Sequence, residues 1–375
     1  MQPSDLRGYA RLAKDATVGL TDLVEAMHAS IARPAGTRGI TGLVYRSVRG
    51  VTRLVGGGVD ALLALLQPAL KGRESSPERD AVHAALNGVL GDYLAASGNP
   101  LAIPMALRRN GLPFTPSPRR RRLVVLVHGL CMGDRQWHRN GHDHGAALAR
   151  DLGCEVAYLR YNTGLHVSTN GRAFAALLEK LVAGSRVREL VIVAHSMGGL
   201  VARSACHYGA QSGHAWPGML SRAVFLGTPH HGAPLERGGN WVDIALGAMP
   251  YASPFARLGK VRSAGITDLR HGNLLDEDWH GRDRFARTRD SRTHLPLPVG
   301  TRCYAVGATI DGLKGRLLGD GLVPLDSALG RHKAAARCLA FPKNRQWVAR
   351  GVSHLGLLDS PAVYGRLRKW LADPR

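Results

Sequence analysis

Short apolar runs recur at residues 123–127, 155–159, 190–194, 223–226 and 303–306, and the first intervals between them carry apolar side chains at helical spacing. A strand that is apolar at nearly every position must be covered on both faces. Runs of this kind alternating with helical segments therefore dictate a largely parallel sheet with helices on either side. The helices are expected at 144–152, at 170–182, directly after residue 196 and at 361–371. Ahead of this region, residues 102–114 read as two short strands around Asn110-Gly111, a dipeptide that accepts the positive φ angles of a tight hairpin turn. The hairpin marks the entry to the α/β part of the chain, and the basic run 116–122 leads into its first buried strand.

The chain has 375 residues, enough for one large α/β domain and an extension. Residues 1–98 read as that extension. Leu6, Leu12, Leu20, Leu23, Val24, Met27 and Ile31 form one apolar stripe, and further stripes follow at 40–55, 62–66 and 82–90, punctuated by Gly and Pro. Arg46, Arg49, Arg53, Lys71 and Arg73 lie on the polar sides of the middle stripes. Two readings stay open: the helices pack on the catalytic part or on each other, or they rest on an anionic membrane or lipid surface. Residues 99–375 form the second domain.

Fifty Lys and Arg against 28 Asp and Glu give a net charge of +22. Such a field attracts anionic surfaces without specifying a fold, and no specific nucleic-acid partner is expected from it. Cys131, Cys154, Cys206, Cys303 and Cys338 are scattered and odd in number, which argues against a disulfide framework or a zinc site. The first residues lack the pattern of a secretory signal, and no apolar run approaches the roughly 20 residues of a membrane span. The expected location is cytoplasmic, with a peripheral position at the inner membrane as the variant that suits the basic helices.

The chemistry is concentrated at Val191-Ile-Val-Ala-His195-Ser196-Met197-Gly198-Gly199. An apolar strand runs into a sharp turn and then a helix, with a serine at the turn and small residues around it. This is the form of a nucleophile elbow, with Ala194 where the first glycine of G-x-S-x-G usually stands. An acyl-transferring serine needs two backbone N–H groups for the oxyanion, each worth roughly 3 to 4 kcal/mol. Met197 supplies one. Leu130, in the His128-Gly129-Leu130 loop after the first buried strand, is the expected second, and His128 itself reads as structural.

The base must lie downstream, among His294, His332 and His354. The loop position of His354 between an apolar segment, 338–341, and the final helix favours it. Asp320, in the glycine-flanked turn Gly319-Asp-Gly-Leu-Val-Pro, is the expected acid, with Asp311 and Asp326 as rivals. The catalytic set is therefore Ser196, Asp320 and His354, and it needs no cofactor. A second group, His138, His142, Asp143 and His144, suits helix capping and hydrogen bonding better than metal binding.

His128-Gly, Ala194-His-Ser-Met-Gly-Gly, Leu226-Gly-Thr-Pro-His-His-Gly232, Gly319-Asp-Gly-Leu-Val and Ser353-His-Leu together resemble the bacterial lipase and GPI-inositol-deacylase-like branch of the α/β hydrolases. The resemblance covers roughly residues 120–375. It implies the α/β-hydrolase fold, esterase or lipase activity on a small acyl ester or lipid, and a cap or lid at about 230–294. Gly356 occupies the position where the secreted lipases it partly resembles carry a calcium-ligating aspartate. An acyltransferase using the same triad, or a tethering protein at a membrane or storage granule, are the alternatives.

Overall fold

The computed structural model describes residues 3–31, 50, 77–233, 262–284, 290–310 and 319–372. The stripes at 40–55 and 62–66 lie almost wholly outside these residues, as do Asp311 and most of the 230–294 segment. The chain divides into two compact units, Met1–Arg79 with Leu94–Ala102, and Asp80–Tyr93 with Ile103–Arg375. In the first unit, helix α1 (Pro3–Ile31) is tied by a two-pronged ion pair from Arg79 to the buried Asp5, both contacts at 2.5 Å. Asn99 donates to the Gly8 carbonyl at 3.1 Å, and Leu101 leaves no room for a side chain at Gly8.

Among the described residues the second unit is built on eight strands: β1 (Ala106–Arg109), β2 (Leu112–Pro113), β3 (Arg122–Val127), β4 (Glu155–Arg160), β5 (Glu189–His195), β6 (Leu220–Leu226), β7 (Arg302–Thr309) and β8 (Gln346–Arg350). Their order is β2-β1-β4-β3-β5-β6-β7-β8. Only β1 and β2 run antiparallel to their neighbours. Asn110 and Gly111 turn the β1–β2 hairpin at φ +52° and +77°. Between β3 and β8 the sheet is parallel, so each connection crosses over a face. Among the described residues the unit's helices include α3 (His144–Leu152), α4 (Val167–Ala183), α5 (Met197–Gln211) and α8 (Pro361–Ala372), with the short α6 (Ala264–Asp268) and α7 (Leu325–Ala328) in the connections.

From β3 the chain steps outward through α3 to β4, then back past β3 through α4 to β5, and onward through α5 to β6. Right-handed crossovers put α3 on one face and α4 and α5 on the other. The packing agrees, with α4 against α5 and α3 against α8, and Trp370 of α8 stacks on Tyr304 of β7 at 4.8 Å. This strand order with helices on both faces is the α/β-hydrolase arrangement. Strand β8 reads Gln346-Trp-Val-Ala-Arg350, with three apolar residues between polar ends, so it gives only a minimal apolar run in the sequence.

Helix α2 (Pro77–Ala96) contributes residues 80–93 to the same unit. Gly88 lets it approach so closely that a Cβ there would lie 2.9 Å from the Cα of Cys131. Asn162 donates to the Gly91 carbonyl at 2.8 Å, and Asp80 meets Arg135 at 3.0 Å. In the described part of 230–294, Asp268 caps α4 by accepting the Val167 N–H at 2.8 Å. Trp279 stacks on His166 at 3.7 Å. No helix among the described residues is long and apolar enough to cross a membrane.

Candidate active site

Register sets the site. Val127, Ala194 and Phe225 are paired across β3, β5 and β6, and Leu226 pairs with Val306 of β7. The loops after these strands consequently leave the sheet side by side, at the carboxyl ends where such sheets bind ligands. Ser196 follows β5 and opens α5 with φ +54° and ψ −128°. A non-glycine residue there is strained by about 1 to 3 kcal/mol. The surroundings enforce it: the Ser196 N–H donates to the Leu226 carbonyl at 2.8 Å, and the bulk-free Gly198 presses α5 onto β3. A Cβ on Gly198 would stand 2.5 Å from the carbonyl oxygens of both Val127 and His128.

Gly129 brings the loop after β3 against the serine, since a Cβ at Gly129 would lie 3.0 Å from that of Ser196. Leu130, next in that loop, is buried. Met197 is the first residue of α5, so its N–H belongs to the turn that has no acceptor within the helix and carries the positive end of the helix dipole. His128 is fully buried and stacked on Tyr161 at 4.4 Å; burial pulls its pKa down to about 4. It holds the loop as a neutral ring.

His354 Nδ1 donates to Asp320 Oδ2 at 2.7 Å, and the His354 backbone N–H donates to the Asp320 carbonyl at 3.0 Å. The other carboxylate oxygen of Asp320 accepts the N–H groups of Leu322 and Val323 at 3.0 and 2.8 Å. With its proton on Nδ1, the imidazole has its basic lone pair on Nε2. Gly227, the residue after Leu226, forms the floor under this pair: a Cβ there would lie 3.0 Å from Asp320 Oδ2 and 3.2 Å from His354 Cε1. The same short β6 end thus touches Ser196 on one side and the Asp320–His354 pair on the other. Ser196 Oγ is buried and makes no hydrogen bond among the described residues, so no direct serine–histidine hydrogen bond is formed in this state. Asp326 lies in α7 and is exposed, His332 is half-buried and contacts the Cys338 turn, and His294 is exposed.

Two further histidines serve the site although neither was singled out for it from sequence. His195 Nε2 donates to the His354 carbonyl at 3.1 Å, with burial and then the neighbouring His354 holding its pKa well below the ordinary value. His144 is fully buried, donates from Nε2 to the Leu357 carbonyl at 2.9 Å, and accepts from His142 at 2.7 Å. Burial pulls the His144 pKa down to about 4. It braces the turn that follows His354. Adjacency to Ser196 could have flagged His195, but His144 reaches Leu357 across 213 positions, which no local pattern shows. Asp143 caps α3 through the Ala146 N–H at 2.9 Å and accepts from the Tyr158 hydroxyl at 2.7 Å. Among the described residues no group of three His, Cys, Asp or Glu is arranged to hold a metal ion.

Residues 120–295 match the family model of the PGAP1-like alpha/beta domain. No curated protein matches the chain. Among solved structures, the mature lipase BlEst2 of Bacillus licheniformis is 19% identical, with 72% of this chain and 97% of that one covered and a TM-score of 0.44. Lipase B of Aspergillus fumigatus is 12% identical, covering 87% and 71% with a TM-score of 0.45. EstA of Clostridium botulinum is 12% identical, covering 69% and 89% with a TM-score of 0.38. The fold assignment rests on the strand order and the family match rather than on these likenesses.

Proposed function

Starting from an α/β-hydrolase unit whose residues 120–295 match the PGAP1-like domain, we propose that this protein is a serine hydrolase that cleaves carboxylic esters through an acyl-enzyme on Ser196. The observation that carries the reading is the strained, buried Ser196 at the same sheet rim as the hydrogen-bonded Asp320–His354 pair. Ser196 Oγ attacks the ester carbonyl as His354 Nε2 takes its proton. The oxyanion lies between the N–H groups of Leu130 and Met197. The protonated imidazole, stabilised by the Asp320 carboxylate, returns its proton to the leaving alkoxide, and the alcohol departs. Water then attacks the acyl-enzyme with His354 again as base, releasing the acid and restoring the serine. Every proton and electron pair in this cycle is handled by the chain and water, without a cofactor.

Ser196→Ala tests it. Hydrolysis of p-nitrophenyl esters is expected to fall by roughly four to six orders of magnitude, with fluorophosphonate labelling lost. A fully active variant overturns the proposal. Product analysis with an added alcohol separates hydrolysis from acyl transfer, and a panel of increasing acyl length defines the ester preferred. Co-sedimentation of the full chain with anionic vesicles tests whether the ester is met at a membrane surface.

A further inference from the structure

Behind the nucleophile helix lies a second polar site that ester cleavage does not use. Arg203, on α5, is 3% exposed. Its Nη1 approaches His230 Nδ1 at 3.4 Å and its Nη2 donates to the Leu295 carbonyl, but its Nε is buried without a partner among the described residues. His230 is fully buried, and its Nε2 likewise has no partner there. Arg292 donates to the His230 carbonyl and to His231 Nδ1, each at 2.7 Å. Arg337 completes the group from the far side, paired with Asp290 at 2.6 Å. These side chains line one cavity of about 20 Å³ whose described lining contains no carboxylate, and the exposed Thr293 and His294 stand at its edge.

Three guanidinium groups thus converge with Asp290 alone ion-paired to them among the described residues. A buried guanidinium lacking a counter-charge costs several kcal/mol, and burial accordingly pulls the Arg203 pKa down to about 10. The cost disappears when an anion fills the space, and the forked donors of arginine suit an oxyanion best. A void of this size takes one compact group and excludes an acyl chain. We infer that the cavity between α5, His230 and His231, and residues 292–295 binds one compact oxyanion of the phosphate or sulfate class, held by Arg203, Arg292, Arg337 and His230.

The test is thermal unfolding and calorimetric titration of the full chain with sodium phosphate, sodium sulfate and glycerol 3-phosphate, against sodium chloride at matched ionic strength. Saturable stabilisation by phosphate and sulfate, absent with chloride, is expected. Arg337→Gln should weaken it roughly tenfold or more, and Arg203→Met should abolish it. Inorganic phosphate binding without glycerol phosphate identifies a free-ion site; equal or tighter glycerol phosphate binding identifies a phosphorylated headgroup. No saturable response in the parent chain, or an undiminished one in the Arg337→Gln variant, overturns the inference. Should Arg203→Met not fold, the part-exposed Arg337 carries the test alone. No readout involves ester turnover, so this inference and the proposed hydrolase activity fail separately.

Discussion

Asp320→Asn keeps the shape of its side chain but replaces an acceptor-only carboxylate with an amide that can present N–H to His354 Nδ1. The tautomer then reverses and the basic lone pair leaves Nε2, so kcat should fall by about four orders of magnitude with KM little changed. The His144 ring acts one step further back, through the Leu357 carbonyl. Removing it lets the His354 turn shift, and a displacement of about 1 Å there costs roughly a hundredfold in rate. His144→Ala should show this loss in kcat, while His144→Gln, whose amide can still donate to Leu357, recovers most of it. Equal activity of the two variants would rule out the bracing role. Gly198→Ala sets a methyl against two backbone oxygens that belong to a central strand end. It should destabilise the protein by about 1 to 3 kcal/mol in urea unfolding and reduce activity together.

At the scale of elements, the part of α2 that joins the second unit backs the loop that carries Leu130. Gly88 packs on Cys131, the residue after Leu130, and its carbonyl accepts the Ser263 hydroxyl at 2.6 Å. Cys131 holds φ +58°, a conformation that the contact helps to impose. Gly88→Val should therefore cost about 2 kcal/mol or more and lower the melting temperature by several degrees. Ester turnover should drop with it because Leu130 moves. A melting temperature equal to that of the parent chain would show that α2 is not seated as described.

For the whole molecule, acid is the condition to watch, because the interior holds neutral histidines. His128 and His144 are pulled by burial from 6.5 to about 4, and burial likewise holds His195 and His230 well below the ordinary value. Between pH 6.5 and about 4 the unfolded chain holds protons that the folded chain refuses, so stability rises with pH in that window and is lost as pH falls through it. At pH 5 each fully buried imidazole of the first pair removes about 2 kcal/mol relative to pH 7. Urea midpoints at pH 7 and pH 5 measure this; equal midpoints would contradict it. The alternation of strands and helices, the Asn110-Gly111 hairpin and the elbow around Ser196 were legible in the sequence because each is encoded by neighbours: side-chain period, turn chemistry and a run of small residues. The Asp320–His354 pairing was legible from chain order and a glycine-flanked turn. Strand β8 was not, since this edge strand offers only Trp347-Val-Ala349 between polar ends, too short a run to mark a strand. The bracing of His354 by His144 and His195, the seating of α2 on Cys131 and the convergence of Arg203, Arg292 and Arg337 were decided only by the tertiary structure. Each joins residues far apart in the chain, and such contacts arise from the order in which strands pair and helices cross over, which no local pattern records.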